Sequence, residues 1–300
     1  MLVDTSVLYR RAFHGVPVSR RGPDGRPANA VRGVLASLAA LVERYQPARL
    51  ACCWDVSWRP EWRVALLPSY KAARANPDGT EAMPAELAAQ VPVIREVLEA
   101  FGLPVVGADG YEADDVIATL AATAVDVEVV TTDRDLFQVV DDARGVRVLY
   151  CTRGVARAEV VTDSWLRERY GVGASSYLDF MTLRGDPADG LPGVRGIGAK
   201  TAASLLHQHR SLHGVVAAGV RRRFAPKLSD SLMDAIGYVH PAKRVATAVT
   251  NVPLPLLDLR VPTGVRDPAR LAQLSATFGL GGSATRLTHA LWPTRALACS

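Results

Sequence analysis

Short apolar runs alternate with longer stretches of helical period through the first half of the chain. Residues 1–4, 50–55, 103–106, 127–131 and 146–150 are apolar runs of strand length. Between them, residues 30–45, 84–101 and 112–124 carry apolar positions at helical spacing, and 134–140 reads as a short helix. Pro84 and Gly102 bracket the second of these with a helix start and a helix stop. Strands alternating with helices predict an α/β fold, a central and mostly parallel sheet flanked by helices.

Two stretches leave this rhythm. Residues 57–83 form a long polar and aromatic connection with Trp58, Trp62, Tyr70, Lys71 and Arg74. Connections longer than roughly 12–15 residues in a compact domain are usually functional or disordered. After Tyr150 the pattern turns helical, at 163–170, 175–184 and 199–209, and beyond Pro253 it is proline-rich and weakly patterned. The expected organisation is an α/β part over 1–160 that includes the connection 57–84, a helical part over 161–290, and a tail, 291–300.

Composition excludes more than it selects. Hydrophobic residues at 49% and charged residues at 22% suit a chain with a sizeable core. The net charge of +5 is small, and 31 of the 35 basic residues are arginine. Its placement is more telling. Residues 1–150 hold 16 Lys/Arg against 20 Asp/Glu, and residues 151–300 hold 19 against 10. An acidic half suits cations and a basic half suits a polyanion. Cys52, Cys53, Cys151 and Cys299 show no C-x-x-C spacing, and adjacent Cys52 and Cys53 point to opposite faces of a strand. This argues against a zinc site or disulfide framework and for a reduced, cytoplasmic setting. Arg10 and Arg11 interrupt the start before any signal-peptide core, and residues 34–42 are too short to span a bilayer.

The carboxylates recur at strand ends. Asp4 ends the first strand and Asp55 the second; Glu112, Asp114 and Asp115 open the helix after the third; Asp133 and Asp135 follow the fourth. Ligands of open parallel sheets bind outside the carboxyl ends of the strands, so all seven are expected on one edge. Any one of them reads equally well as a helix cap or first-turn charge. Seven in one crevice repel unless cations neutralise them. Oxygen ligands without His or Cys select Mg²⁺ or Mn²⁺. Asp186 and Asp189 supply a second acidic pair in the basic half, just before a glycine-rich turn.

That turn runs Leu191-Pro192-Gly193-Val194-Arg195-Gly196-Ile197-Gly198-Ala199-Lys200-Thr201. It is not a P-loop, because Lys200 falls one residue late, and no strand precedes it as a dinucleotide fingerprint requires. A helix–glycine turn–helix offers backbone N–H groups at a helix N-terminus, which bind a phosphate without reading a base. The plain alternative is a structural αα-hairpin turn.

With these motifs assembled in order, the chain resembles the 5′-nuclease (flap endonuclease) family. The resemblance is carried by Val3-Asp4 with Arg11-Ala12-Phe13-His14, by Trp54-Asp55, and by Tyr70-Lys71-Ala72-Ala73-Arg74. It continues through Gly110-Tyr111-Glu112-Ala113-Asp114-Asp115, Thr132-Asp133-Arg134-Asp135 and the run from Gly185-Asp186 through Asp189 to Ala202. It covers roughly residues 1–290 and is similar to the 5′→3′ exonuclease domain of bacterial DNA polymerase I, here without a polymerase part.

The resemblance implies a PIN-like sheet, an arch within 57–84 that passes a single-stranded 5′ end, and a helix–hairpin–helix (H3TH) module near 186–206. It implies two-metal hydrolysis of DNA phosphodiesters, with Asp4, Asp55, Glu112, Asp114 and Asp115 about one Mg²⁺ or Mn²⁺ and Asp133, Asp135, Asp186 and Asp189 about a second. Lys71 and Arg74 take the catalytic role of meeting phosphoryl charge. Arg32, Tyr70, Gly193, Arg195, Gly196, Gly198, Lys200 and Thr201 take DNA contacts, with K⁺ at the hairpin. The implied substrates are DNA flaps, nicks, gaps and free 5′ ends, taken by a cytoplasmic, nucleoid-associated monomer. Four residues depart from the pattern: Thr5 after the first aspartate, Arg10 in place of tyrosine, Arg32 in place of an aromatic, and Gly190 in place of asparagine. Two rivals are a PIN-like ribonuclease, against which the hairpin argues, and a branched-DNA binder without catalysis, against which the full acidic set argues.

Overall fold

The computed structural model describes residues 1–19 and 21–293. Cys299 and most of the expected tail lie outside the described residues. One six-stranded sheet has the order β3-β2-β1-β4-β5-β6. Its strands are β1 (Leu2–Asp4), β2 (Ala51–Cys53), β3 (Val105–Val106), β4 (Glu128–Thr131), β5 (Arg147–Tyr150) and β6 (Glu159–Val161). The first five are parallel to their neighbours and β6 is antiparallel to β5. Strand β6 is absent from the sequence pattern because its three residues, Glu-Val-Val, do not complete an alternation.

The strands are apolar on both faces because both are covered. Val3, Cys52, Val130 and Leu149 enter one core, and Leu2, Ala51, Cys53, Val129 and Val148 the other. Cys52 and Cys53 thus do point to opposite faces, and Cys52, Cys53 and Cys151 are free and buried.

Helices α1 (Thr5–Gly15) and α2 (Asn29–Tyr45) cover the first face. Leu8, Tyr9, Ala12 and Phe13 give α1 an i, i+4 apolar stripe that turns inward. The two helices approach closely at Gly33, where a Cβ would stand 2.5 Å from that of Ala12. Next come α3 (Glu61–Leu66), α4 (Ala85–Ala88) and α5 (Val91–Phe101). The helix expected over 84–101 is divided because Pro92, in the first turn of α5, has no N–H to give to the preceding turn. α3 and α4 form the arch-like helix pair, separated by a 3₁₀ turn at Ala72–Arg74.

The other face carries α6 (Ala113–Ala122), α7 (Asp163–Tyr170), α8 (Ala174–Arg184), α9 (Ala199–His209), α10 (Leu212–Val220), α11 (Pro226–Asp234) and α12 (Ile236–Ala246). The segment expected as a short helix, 134–140, is a 3₁₀ turn over Asp135–Val139. α13 (Pro268–Phe278) and α14 (Gly281–Leu291) return to pack on α5 and α2. By packing, residues 268–291 join the core that holds α1, α2 and α5. Among the described residues no helix is long and apolar enough to cross a membrane.

Candidate active site

The carboxyl ends of β1, β2 and β4 open onto a cavity of about 350 Å³. Asp4, Asp55, Asp114, Asp133, Asp186 and Asp189 line it, together with Arg10, Lys71, Arg74 and Arg134. Local backbone geometry aims each of these acids. Asp4 caps α1, accepting from Val7 N (3.3 Å) and Ser6 Oγ (2.8 Å), while its other oxygen accepts from Thr131 Oγ1 (2.9 Å). Asp55 accepts from Ala113 N (2.8 Å), which ties β2 to the start of α6. Asp133 accepts from Asp135 N (2.9 Å), and Asp186 accepts from Ala188 N (3.1 Å).

Electrostatics set Asp4, Asp114, Asp135 and Asp189 apart. Burial and the neighbouring Asp55 carboxylate raise Asp4 to about 6. Burial, then Asp133 and Asp4, push Asp114 well above the usual carboxylate range; burial, then Asp133 and Asp189, do the same to Asp135. Asp189 is raised to about 6 by burial, although Lys71 pulls it down. An oxygen-only donor set that resists ionisation fits hard divalent cations. Among the described residues, however, no three His, Cys, Asp or Glu side chains stand in a metal-holding group. Instead Asp189 Oδ1 lies 3.4 Å from Arg74, and Asp186 lies 3.7 Å from Arg184 and 3.9 Å from Arg134.

Glu112 and Asp115 sit behind this wall, not in it. Their reciprocal bonds form a capping box at the start of α6. Arg63, on α3 and only 2% exposed, donates to Asp115 through both terminal nitrogens (2.9 and 2.7 Å) and also reaches Glu112. Its Nε gives a bond to Val245 O (2.9 Å), and Val249 N donates to Asp115 (2.7 Å). Asp115, expected as a metal ligand, is thus met by a guanidinium and amides. Glu112 is likewise taken up by Arg63, Lys71 Nζ and Tyr70 Oη (2.7 Å). Tyr70, expected as a DNA contact, is buried with its hydroxyl bonded to Glu112.

Lys71 occupies a left-handed backbone conformation (φ 49°). Burial would lower its pKa, but Glu112 with Tyr70, Asp189 and Asp55 together outweigh burial and hold the ammonium charged. A backbone bond from Lys71 N to Asp189 O (3.0 Å) joins the arch base to the helical part. Gly190 makes that junction possible: with φ 74°, a Cβ there would fall 1.9 Å from Ser69 O. The glycine that departs from the family pattern therefore serves the contact.

The glycine-rich turn is exposed at Arg195, Gly196, Gly198, Ala199 and Lys200, with Thr201 half-buried. Gly198 caps α9 without a side-chain bond, and the first turn of α9 has no acid. Its leading N–H groups therefore point outward unopposed by negative charge. Gly193 differs, because its N–H donates to Tyr238 Oη (2.9 Å), a structural commitment rather than a free phosphate donor. Arg32 is also structural: its Nη2 donates to Arg21 O (3.1 Å) and Phe278 O (3.0 Å), holding α13 against α2.

The sequence matches the family described as 5'-3' exonuclease, N-terminal resolvase-like domain, over residues 1–171, and 5'-3' exonuclease, C-terminal SAM fold, over 172–265. The chain belongs to the 5'-3' exonuclease family. A 5'-3' exonuclease of Streptomyces coelicolor is 50% identical over 300 residues, covering 97% of this chain and 99% of that protein. One from Mycobacterium tuberculosis is 46% identical, with 97% of each covered. DNA polymerase I of Mycobacterium bovis is 38% identical over 85% of this chain, which spans 27% of that longer protein. Among solved structures, T5 5'-exonuclease with bound divalent zinc has a TM-score of 0.62 at 17% identity, covering 97% of this chain and 98% of that one. Human GEN1 in complex with Holliday junction DNA has 0.61 at 15% identity, covering 95% and 70%. These last two are likenesses of fold. The border between the two matched parts of this 5'-3' exonuclease chain falls at Gly171, the left-handed cap that ends α7.

Proposed function

We propose that the protein is a structure-specific 5′ nuclease, a metal-dependent hydrolase that cuts DNA phosphodiesters near 5′ ends and branches. The observation that carries this reading is the convergence, on one cavity, of acids from three strand ends and from the Asp186–Asp189 turn, with Lys71 and Arg74 on the same wall.

Asp4, Asp55, Asp114, Asp133, Asp135, Asp186 and Asp189 would hold Mg²⁺ or Mn²⁺, with Glu112 supporting them through Lys71. Such ions, when bound, supply an activated water and charge stabilisation for the leaving 3′ oxygen. Lys71 stays protonated beside Glu112 and, with Arg74, meets the negative charge that grows on the phosphoryl oxygens. The outward N–H groups at the start of α9, with Arg195, Lys200 and Thr201 beside them, hold duplex phosphate without reading sequence. K⁺ at the carbonyls of Gly196 and its neighbours would extend that grip. Products are a 5′ phosphate and a 3′ hydroxyl. Flaps, nicks, gaps and free 5′ ends share the junction of duplex and single strand that such a layout suits. A monomer in the cytoplasm, near the nucleoid, completes the reading.

The test is cleavage of a 5′-flap DNA with Mg²⁺, Mn²⁺ or chelator, alongside a matched RNA flap. Cutting of the DNA flap only with metal is expected. No cutting with either metal overturns the reading, and faster cutting of RNA replaces it with a ribonuclease.

A further inference from the structure

A second cavity, of about 750 Å³, adjoins the first at Asp55, which lines both. Its walls differ in kind. Tyr9, Trp54 and Trp58 supply aromatic surface, with Met83 and Val91 below them, and Asn76 and Thr80 supply polar edges. Lys71, Arg74 and Arg10 line the first cavity, but no lysine or arginine lines the second. A phosphate there would meet Asp55, Asp78 and Glu81 and no cation. A flat, neutral ring with donor groups at its rim meets what it needs: an aromatic face to stack on and oxygen acceptors around it.

Trp58 is the aromatic with no other task. Trp54 is buried, and Tyr9 packs 6.1 Å from it. Trp62, its neighbour in the arch, donates to Gly110 O (3.2 Å) and is flanked by Arg63 and Arg244. The Trp58 ring is half-exposed, and its carbonyl accepts from Lys71 Nζ (3.4 Å). Glu81 stands at the border between the cavities, bonded to Arg74 (2.6 Å) and to Arg10, which turns both cations toward the cleft.

We infer that this second cavity receives the base of the unpaired nucleotide next to the scissile phosphate, stacked on Trp58. The inference rests on the nuclease reading and names a subsite for it. The cleft that holds Lys71 and Arg74 and the aromatic cavity then divide one nucleotide between them, phosphate on one side of Asp55 and base on the other.

The experiment uses 5′-flap DNA with either a normal or an abasic first unpaired nucleotide, cut under single-turnover conditions by wild type, Trp58→Phe and Trp58→Ala. Wild type should cut the abasic flap about tenfold less efficiently, the scale of one lost stacking contact. An abasic site one nucleotide further out should have no effect. Trp58→Phe should behave as wild type. Trp58→Ala should cut the normal flap about tenfold less efficiently and no longer distinguish it from the abasic one. Equal cutting of both flaps by wild type overturns the subsite, as does full discrimination retained by Trp58→Ala. The abasic comparison needs no substitution, so it decides even where a variant is poorly folded. Failure of the nuclease reading looks different: wild type then cuts no flap at all.

Discussion

Two sets of buried carboxylates stand a few residues apart in this molecule and have opposite natures. Glu112 and Asp115 are met by Arg63, Tyr70, Lys71 and backbone amides. Asp4, Asp114 and Asp135 face chiefly other acids, and burial with that repulsion raises their pKa values. Asp4 is as buried as Glu112 and Asp115, so burial does not mark the site. What separates them is whether the fold itself supplies the counter-charge. Where it does, the acids brace the structure; where it does not, they carry the charge that the proposed function assigns to a cation.

The sharpest way to break this contrast is Arg63→Met. It strands two buried acids and should cost about 3–5 kcal/mol of stability, read by denaturant unfolding. A loss under 1 kcal/mol would mean that the brace is not one. Asp114→Asn should act in the opposite sense. It should lower flap cleavage on the order of 10²–10³-fold while leaving DNA binding intact. The same change should raise the metal-free melting temperature, because it removes a charge the folded state resists. A variant that cuts normally, or that melts lower without metal, contradicts the assignment.

Acidity gives a third test. Asp4 and Asp189 titrate near 6 in the fold, against 3.8 for an ordinary aspartate. A carboxyl with a raised folded pKa stabilises the fold below its unfolded value, and that contribution is lost as pH rises through about 6. Metal-free protein should therefore melt roughly 5 °C higher at pH 5 than at pH 8. Mn²⁺ should raise the melting temperature at pH 8 far more than at pH 5. A flat profile measured by calorimetry would erase the difference between the two acid sets. The smallest effect concerns the hairpin. Lys200→Ala should weaken duplex binding a few-fold at every sequence and reduce the salt slope by about 1. A sequence-dependent loss in a salt titration would argue against a phosphate contact.

Much of this arrangement was legible in the residues alone. Apolar runs ending in Asp4 and Asp55 marked strands and the edge where they converge, and the glycines around Arg195 marked a turn. Helix α1 was also written in the chain, as the spacing of Leu8, Tyr9, Ala12 and Phe13, but Arg10 and Arg11 masked it. Helices α13 and α14 were hidden by weak patterning, and their return to the first core depends on contacts that no local signal carries. Arg63 left no trace, since a lone arginine after Trp62 reads as solvent-facing until the fold brings Asp115 to it. For the same reason Asp114 and Asp115 could not be separated: adjacent residues on a helix point about 100° apart, and which of them faces the cleft depends on how α6 is docked. His14, given no chemistry, is exposed and lies edge-on to Phe13.

Strand β1 comprises residues 2–4 yet lies between β2 and β4 in the sheet. Its residues must therefore wait for Val129 and Val130 before they are paired on both sides. Asp4 shares its cleft with Asp189, and the brace behind that cleft closes only when Val245 and Val249 arrive. Such long-range closure makes for slow folding. It also means that a chain stopped short of Val245 leaves Arg63 and Asp115 without their last backbone partners.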